Sequence, residues 1–199
     1  MSGLTEETVS ASEDLSQDSL GPRCWSNEVD SKLVFNPIRA MTEVALYIRR
    51  FGPFDGGIGF SQGGLMLSLA ASLLEPDRTV DGELSGCLKM FCLEDTKERI
   101  QHPFKCLLCF SAPDAPHLYF QQLWEPRVQS PMLYVIGKWD TMIDEASSRS
   151  LAHRFEESYV IVHYGGHFVP KDSKHIHDIA SFVTSVLVGD ESECASTRS

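Results

Sequence analysis

Gly59-Phe60-Ser61-Gln62-Gly63 is the stretch that decides how this chain folds. It has the form G-x-S-x-G. A short strand candidate, Gly57 to Phe60, leads into it, and Gln62 to Leu74, helical in composition, leads out and stops before Pro76. A nucleophilic hydroxyl must stand clear of a sheet on a tight turn, and small residues two before and two after keep side chains from colliding there. In that position the backbone N–H of Gln62 lies at a helix N-terminus beside the hydroxyl, where it can stabilise a developing oxyanion. A glycine-rich turn without activity, or a dinucleotide loop, would share part of the pattern. Gly57-x-Gly59 could open G-x-G-x-x-G, but position 62 is Gln, so the phosphate fingerprint fails.

On both sides of this stretch, further apolar runs alternate with helical patterns. Cys106 to Phe110 and Met132 to Ile136 are continuous apolar stretches, as expected of strands covered on both faces, and Tyr159 to His163 is a third strand candidate. Upstream, Asn36-Pro37 opens a helix with a capping residue and a first-turn proline. Ile38, Met41, Ala45, Ile48 and Phe51 continue it at helical spacing until Gly52-Pro53. Glu145 to Glu157 carries Leu151 and Phe155 four apart, and Ser173 to Val188 has Ile176, Ile179, Ala180, Val183 and Leu187 on one stripe. Strands alternating with helices predict an α/β domain with a parallel sheet. The domain is expected over 33–189, with an insertion near 75–105 that could line a pocket or form a lid. Residues 1–32, acidic and rich in Ser and Thr, and residues 190–199 read as disordered tails.

A serine hydroxyl needs a base, and the base needs an orienting carboxylate. Gly137-Lys138-Trp139-Asp140 directly follows one strand candidate, and Gly165-Gly166-His167 directly follows another. Both loops fall at carboxyl ends of strands, where sites form in open α/β sheets. The order Ser61, Asp140, His167 is that of a hydrolase relay on such a sheet, and the two glycines before His167 give its backbone freedom to swing the imidazole over the sheet edge. Asp144 competes for the acid role. It is assigned as the N-cap of the Glu145 helix, because Asp140 lies nearer the strand end. His163 reads as a strand residue and His153 as a helix-surface one. His175 and His177, two apart on a helix, make a poor metal pair. No cluster has zinc spacing, so no metal is expected.

The chain has 199 residues, with 17 Lys and Arg against 28 Asp and Glu, a net charge of −11 at pH 7. So acidic a surface repels phosphate backbones and anionic headgroups, which argues against nucleic acid and membrane as partners. Leu65 to Leu74, the longest apolar stretch, is too short to span a bilayer. The first twenty residues have neither a basic nor an apolar region of the signal-peptide type. Six cysteines without a secreted spacing pattern fit free thiols and a cytoplasmic location. Cys106 and Cys109, three apart on a strand, point to opposite faces and suit the core.

Three blocks together resemble the FSH-type serine hydrolases, a family of α/β-hydrolases. They are Gly52-Pro53-Phe54-Asp55-Gly56 running into Gly59-Phe60-Ser61-Gln62-Gly63-Gly64, Pro131 through Asp140, and His163-Tyr164-Gly165-Gly166-His167-Phe168-Val169-Pro170. The resemblance covers roughly residues 36–188. It implies a mostly parallel sheet with helices on both faces, no cofactor, and a Ser–Asp–His triad carried onto Ser61, Asp140 and His167. The second block is most similar to fungal members, some of which release polyketide acyl chains from carrier proteins as thioesterases. The expected substrate is thus a small ester or an acyl thioester, free or carrier-bound. Such hydrolases begin with an apolar strand and a Leu-His-Gly type loop that supplies a second oxyanion N–H. Nothing in residues 1–35 resembles it, so the chain is expected to lack the first strand and that donor. Two other readings stand beside the hydrolase: an impaired hydrolase fold that only binds a partner, and a nucleotide-binding protein, against which Gln62 counts.

Overall fold

In a computed structural model, residues 26–29, 32–35, 37–115 and 118–195 are described. The acidic segment 1–25 and the capping role assigned to Asn36 lie outside them. The elements are β1 (Ser26–Val29), β2 (Lys32–Phe35), α1 (Pro37–Phe51), β3 (Gly56–Phe60), α2 (Gln62–Leu74), α3 (Glu83–Met90), β4 (Cys106–Phe110), a 3₁₀ turn (Leu118–Leu123), β5 (Met132–Gly137), α4 (Glu145–Ala152), β6 (Ser158–His163) and α5 (Ser173–Ala195).

Strands β3-β4-β5-β6 form a four-stranded sheet in that order, with every pair parallel. The alternation of side chains along the strands divides the core in two. Leu107, Cys109, Met132, Tyr134 and Ile136 face α1, α2, α3 and α4. Cys106, Leu108, Phe110, Leu133 and Val135 face α5, through Ile179, Phe182, Val183 and Val186. Helices therefore cover both faces, and Cys106 and Cys109 lie on opposite sides, both free and buried. Burial pushes the Cys109 thiol up to about 12, so it is inert as a nucleophile. Helix α2 is buried nearly all round rather than along one stripe, which explains its near-continuous apolar sequence.

β1 and β2 form a separate antiparallel ribbon. The domain start expected at residue 33 falls inside it. Helix α5 runs on to Ala195, so the backbone of 190–195 is helical. Among the described residues nothing pairs with the outer edge of β3, and Ile58 on that strand is 74% exposed.

Two local expectations need correction. The helix expected over Glu145–Glu157 ends at Ala152. Phe155 reaches the core instead by an isolated bridge with Val128, in which Val128 N–H donates to Arg154 O and Glu156 N–H to Val128 O. The segment 75–105 does not reach over the carboxyl edge of the sheet, and the cavity it lines, with Pro76, Arg99, Gln101 and His102, lies elsewhere. Gln101 brackets the backbone of Phe54, and Lys105 N–H donates to Asp55 O, both just before β3. Glu75 Oε1 accepts from Gln129 and Ser130 N–H, just before β5. This segment thus seals the amino edge of the sheet, a strand length of roughly 17 Å from the carboxyl edge.

Candidate active site

Because all four strands are parallel and in register, their carboxyl ends share one edge. Phe60 lies beside Phe110, Phe110 beside Val135, and Gly137 beside His163. The chain leaves these ends through Ser61, Ser111, the loop to Asp140 and the loop to His167.

Ser61 has φ 53° and ψ −128°, a conformation that side-chain-bearing residues rarely adopt. Its N–H donates to Phe110 O at 2.8 Å, and its carbonyl accepts from Gly64 N–H at 2.9 Å, so the turn is fixed at both ends. A Cβ at Gly59 would lie 2.5 Å from Gly64 Cα and 2.7 Å from Gly63 O, and the strand can meet the helix so closely only as glycine. Gln62 is the first residue of α2, so its N–H has no acceptor within the helix.

The other two side chains are brought together. His167 Nδ1 and Asp140 Oδ2 are 2.8 Å apart, with the carboxylate side chain 2% exposed and the imidazole 15%. Asp140 Oδ1 accepts from the N–H groups of Met142 and Ile143, each at 2.9 Å. Burial pushes this carboxyl up. The hydrogen bonds from Ile143, His167 and Met142 outweigh that, with a further contribution from the Ser111 hydroxyl, and together hold it below the ordinary carboxylate range. Asp144, the competing acid, caps α4 by accepting from Ser147 N–H at 2.8 Å. The acid and base loops are tied by their backbones, Lys138 N–H to His163 O and Trp139 N–H to Gly165 O, both 2.8 Å.

The His167 ring packs at 4.8 Å from the Phe60 ring, which places it over the end of β3. Among the described residues no hydrogen bond joins Ser61 Oγ to His167. Such bonds are often long in a site without substrate and tighten when it binds. Gly165 and Gly166 act otherwise than expected, since neither takes a left-handed φ. A Cβ at Gly165 would lie 2.7 Å from His163 Nδ1, so the need is close packing rather than freedom.

Two more residues lie at this edge: His163, a strand residue as expected, and Ser111, which the sequence did not single out. His163 is 3% exposed with Nε2 unpartnered, and it packs against Phe168 at 5.1 Å. Ser111 is 1% exposed, has φ 46°, and its Oγ has no hydrogen bond. Its position directly after a buried strand is the signal that could have found it. Trp139, Met142, Tyr164, Phe168 and Val169 stand exposed on the same loops and form an apolar rim. Among the described residues no group of His, Cys, Asp or Glu could hold a metal ion, and no helix is long and apolar enough to cross a membrane.

A family model described as serine hydrolase (FSH1) matches residues 2–179. A Schizosaccharomyces pombe protein named dihydrofolate reductase is 30% identical over 140 residues, which cover 70% of this chain and 27% of that one. Zebrafish (Danio rerio) esterase OVCA2 is 30% identical over 147 residues, 68% of this chain and 52% of that one. The matched region thus spans about a quarter to a half of these relatives. The crystal structure of Zea mays acyl-protein thioesterase 2 superposes with a TM-score of 0.52 at 12% identity, covering 82% of this chain and 72% of that one, a likeness of fold.

Proposed function

The chain belongs to the serine hydrolase (FSH1) family, and from that premise we propose that it cleaves a carboxylic ester or acyl thioester through an acyl-enzyme formed on Ser61. The observation that carries the reading is the 2.8 Å contact between Asp140 and His167 Nδ1, on the same sheet edge as a serine held on a strained turn. With Nδ1 bound to the carboxylate, Nε2 is free to act as the base. Ser61 Oγ attacks the acyl carbon and its proton passes to His167 Nε2. Collapse of the tetrahedral species breaks the bond to the alkoxide or thiolate, which leaves with that proton. Water then attacks the acyl-enzyme by the same route, giving the carboxylic acid and restoring Ser61. The Gln62 N–H stabilises the oxyanion in both halves. The rim of Trp139, Met142, Tyr164, Phe168 and Val169 favours an apolar acyl group. Release of a polyketide acyl chain from a carrier protein is one form of this chemistry, and a cytoplasmic setting belongs to the same proposal.

Fluorophosphonate labelling and hydrolysis of p-nitrophenyl esters test the reading, with both expected to vanish in Ser61→Ala. Unchanged labelling and turnover in that variant would remove Ser61 from the mechanism. The alternative of an impaired fold that only binds a partner draws on the missing Ser61–His167 hydrogen bond. It predicts a protein that melts cooperatively yet takes no label.

A further inference from the structure

We propose that Ser111 is a positioning residue for the Asp140–His167 pair, its hydroxyl donating a fourth hydrogen bond to the Asp140 carboxylate when substrate closes the site. The inference rests on the functional reading above and deepens it. Ser111 directly follows β4, midway along the sheet edge, between the nucleophile turn and the acid loop. Its own N–H is anchored to Val135 O at 2.9 Å, and the carbonyl of the preceding Phe110 holds the N–H of Ser61. A carboxylate has about four acceptor sites. On Asp140 three are filled, by Met142 N–H, Ile143 N–H and His167 Nδ1.

The Ser111 hydroxyl is a buried donor with no hydrogen bond of its own, as is that of Ser130 at the far edge of the sheet, whereas buried hydroxyls in proteins ordinarily find a partner. Its backbone adds a second, independent observation. At φ 46° a glycine would be unstrained, whereas serine holds its Cβ there at an energetic penalty. What serine has and glycine lacks is the hydroxyl. The downward pull of Ser111 on the Asp140 carboxyl agrees with a hydroxyl close to it. The titratable groups around that carboxylate are His167, in direct contact, and His163 from β6, with His175 and Asp172 behind it.

The function follows from the charge. A carboxylate with four donors is held in one orientation, and its negative charge is dispersed over them. Without the hydroxyl, the carboxylate holds the imidazolium form of His167 more tightly, so more alkaline solution is needed to free the base.

The test uses Ser111→Gly and Ser111→Ala in the full chain, with p-nitrophenyl ester turnover measured from pH 5 to 9 and thermal melting alongside. Expected is a fall of about tenfold in kcat with little change in KM, the usual scale for one hydrogen bond to a charged group. The acid limb of kcat/KM should move to higher pH in both variants. Ser111→Gly should melt no lower than the parent, since it relieves the strained φ, and it keeps the test open if the alanine variant folds poorly. Activity loss without movement of the acid limb, or full activity, in Ser111→Gly would overturn the proposal. Ser61→Ala separates this from the broader reading. If it abolishes turnover while the Ser111 variants keep the parent profile, only the role of Ser111 fails.

Discussion

Replacing Asp140 with Asn is the perturbation that the site geometry resolves most sharply. The carboxylate gives Oδ1 to two backbone N–H groups and Oδ2 to His167 Nδ1. An amide must put its NH₂ on one side. Turned toward Met142 and Ile143 it would face two donors with a donor, losing both loop bonds. Turned toward His167 it loses only the charge-assisted contact, so this orientation wins and the loop stays in place. The NH₂ then obliges Nδ1 to accept, and the ring proton moves to Nε2, the nitrogen that must take the proton of Ser61. The fold survives with the wrong tautomer. For a base held in the wrong tautomer the loss is about 10⁴ in kcat, or about 5 kcal/mol of transition-state stabilisation. Stability should change far less, by about 1–2 kcal/mol for the weakened hydrogen bond. The assay is p-nitrophenyl ester turnover, normalised to folded protein by thermal melting. Asp144→Ala serves as the contrast. It removes a cap worth about 1 kcal/mol and should leave kcat within a few-fold of the parent. Asp140→Asn retaining more than a tenth of parental kcat, or Asp144→Ala showing the large loss instead, would refute the assignment of the acid.

Two further perturbations probe the same edge. Gly59→Ala places a Cβ 2.5 Å from Gly64 Cα, so strand and helix must separate and Ser61 must move; kcat should fall by about 10² for a displacement near 1 Å, read as loss of fluorophosphonate labelling rate in a protein that still melts cooperatively. Burial and the neighbouring His175 hold the His163 imidazole below its ordinary value of 6.5, against the opposing pull of Asp172 and Asp140. The unfolded chain therefore binds the proton more readily, so this contribution to stability is complete above pH 6.5 and lost as pH falls toward the folded value. Melting temperature should drop over that range in the parent and drop less in His163→Phe, and equal slopes in the two proteins would remove His163 as the cause.

What the sequence revealed about this fold depended on how far each element's identity was local. The nucleophile turn was legible because a G-x-S-x-G between a strand and a helix carries its own steric reason, and α2 begins and ends where composition placed it. The strands Cys106–Phe110 and Met132–Gly137 announced themselves as uninterrupted apolar runs because both faces are covered. The end of α4 was not legible. Leu151 and Phe155 have helical spacing, and both are fully buried, but Phe155 arrives through a backbone bridge to Val128, a partner 27 residues away in the chain. Residues 75–105 were illegible for the same reason. Their polar side chains are spent on distant backbone, with Arg99 donating to the carbonyls of Glu75, Pro76 and Arg78.

The candidate site divides along the same line, and the division bears on how it would work. Acid and base sit on loops after adjacent strands, and two backbone hydrogen bonds join those loops, so the Asp140–His167 distance is set by the main chain. Among the described residues no such hydrogen bond joins the nucleophile and base loops. Ser61 follows β3 and His167 follows β6, with two strands between them. The contact that carries the base toward the nucleophile is the packing of one side chain, Phe60, against the imidazole. Order along the chain can indicate that three such residues belong together, because each lies at a strand end. The separation of Ser61 from His167 depends instead on the twist accumulated across four strands and on how one ring lies on another. On the nucleophile's side, the outer edge of β3 is unpaired among the described residues, with Ile58 exposed three residues before Ser61.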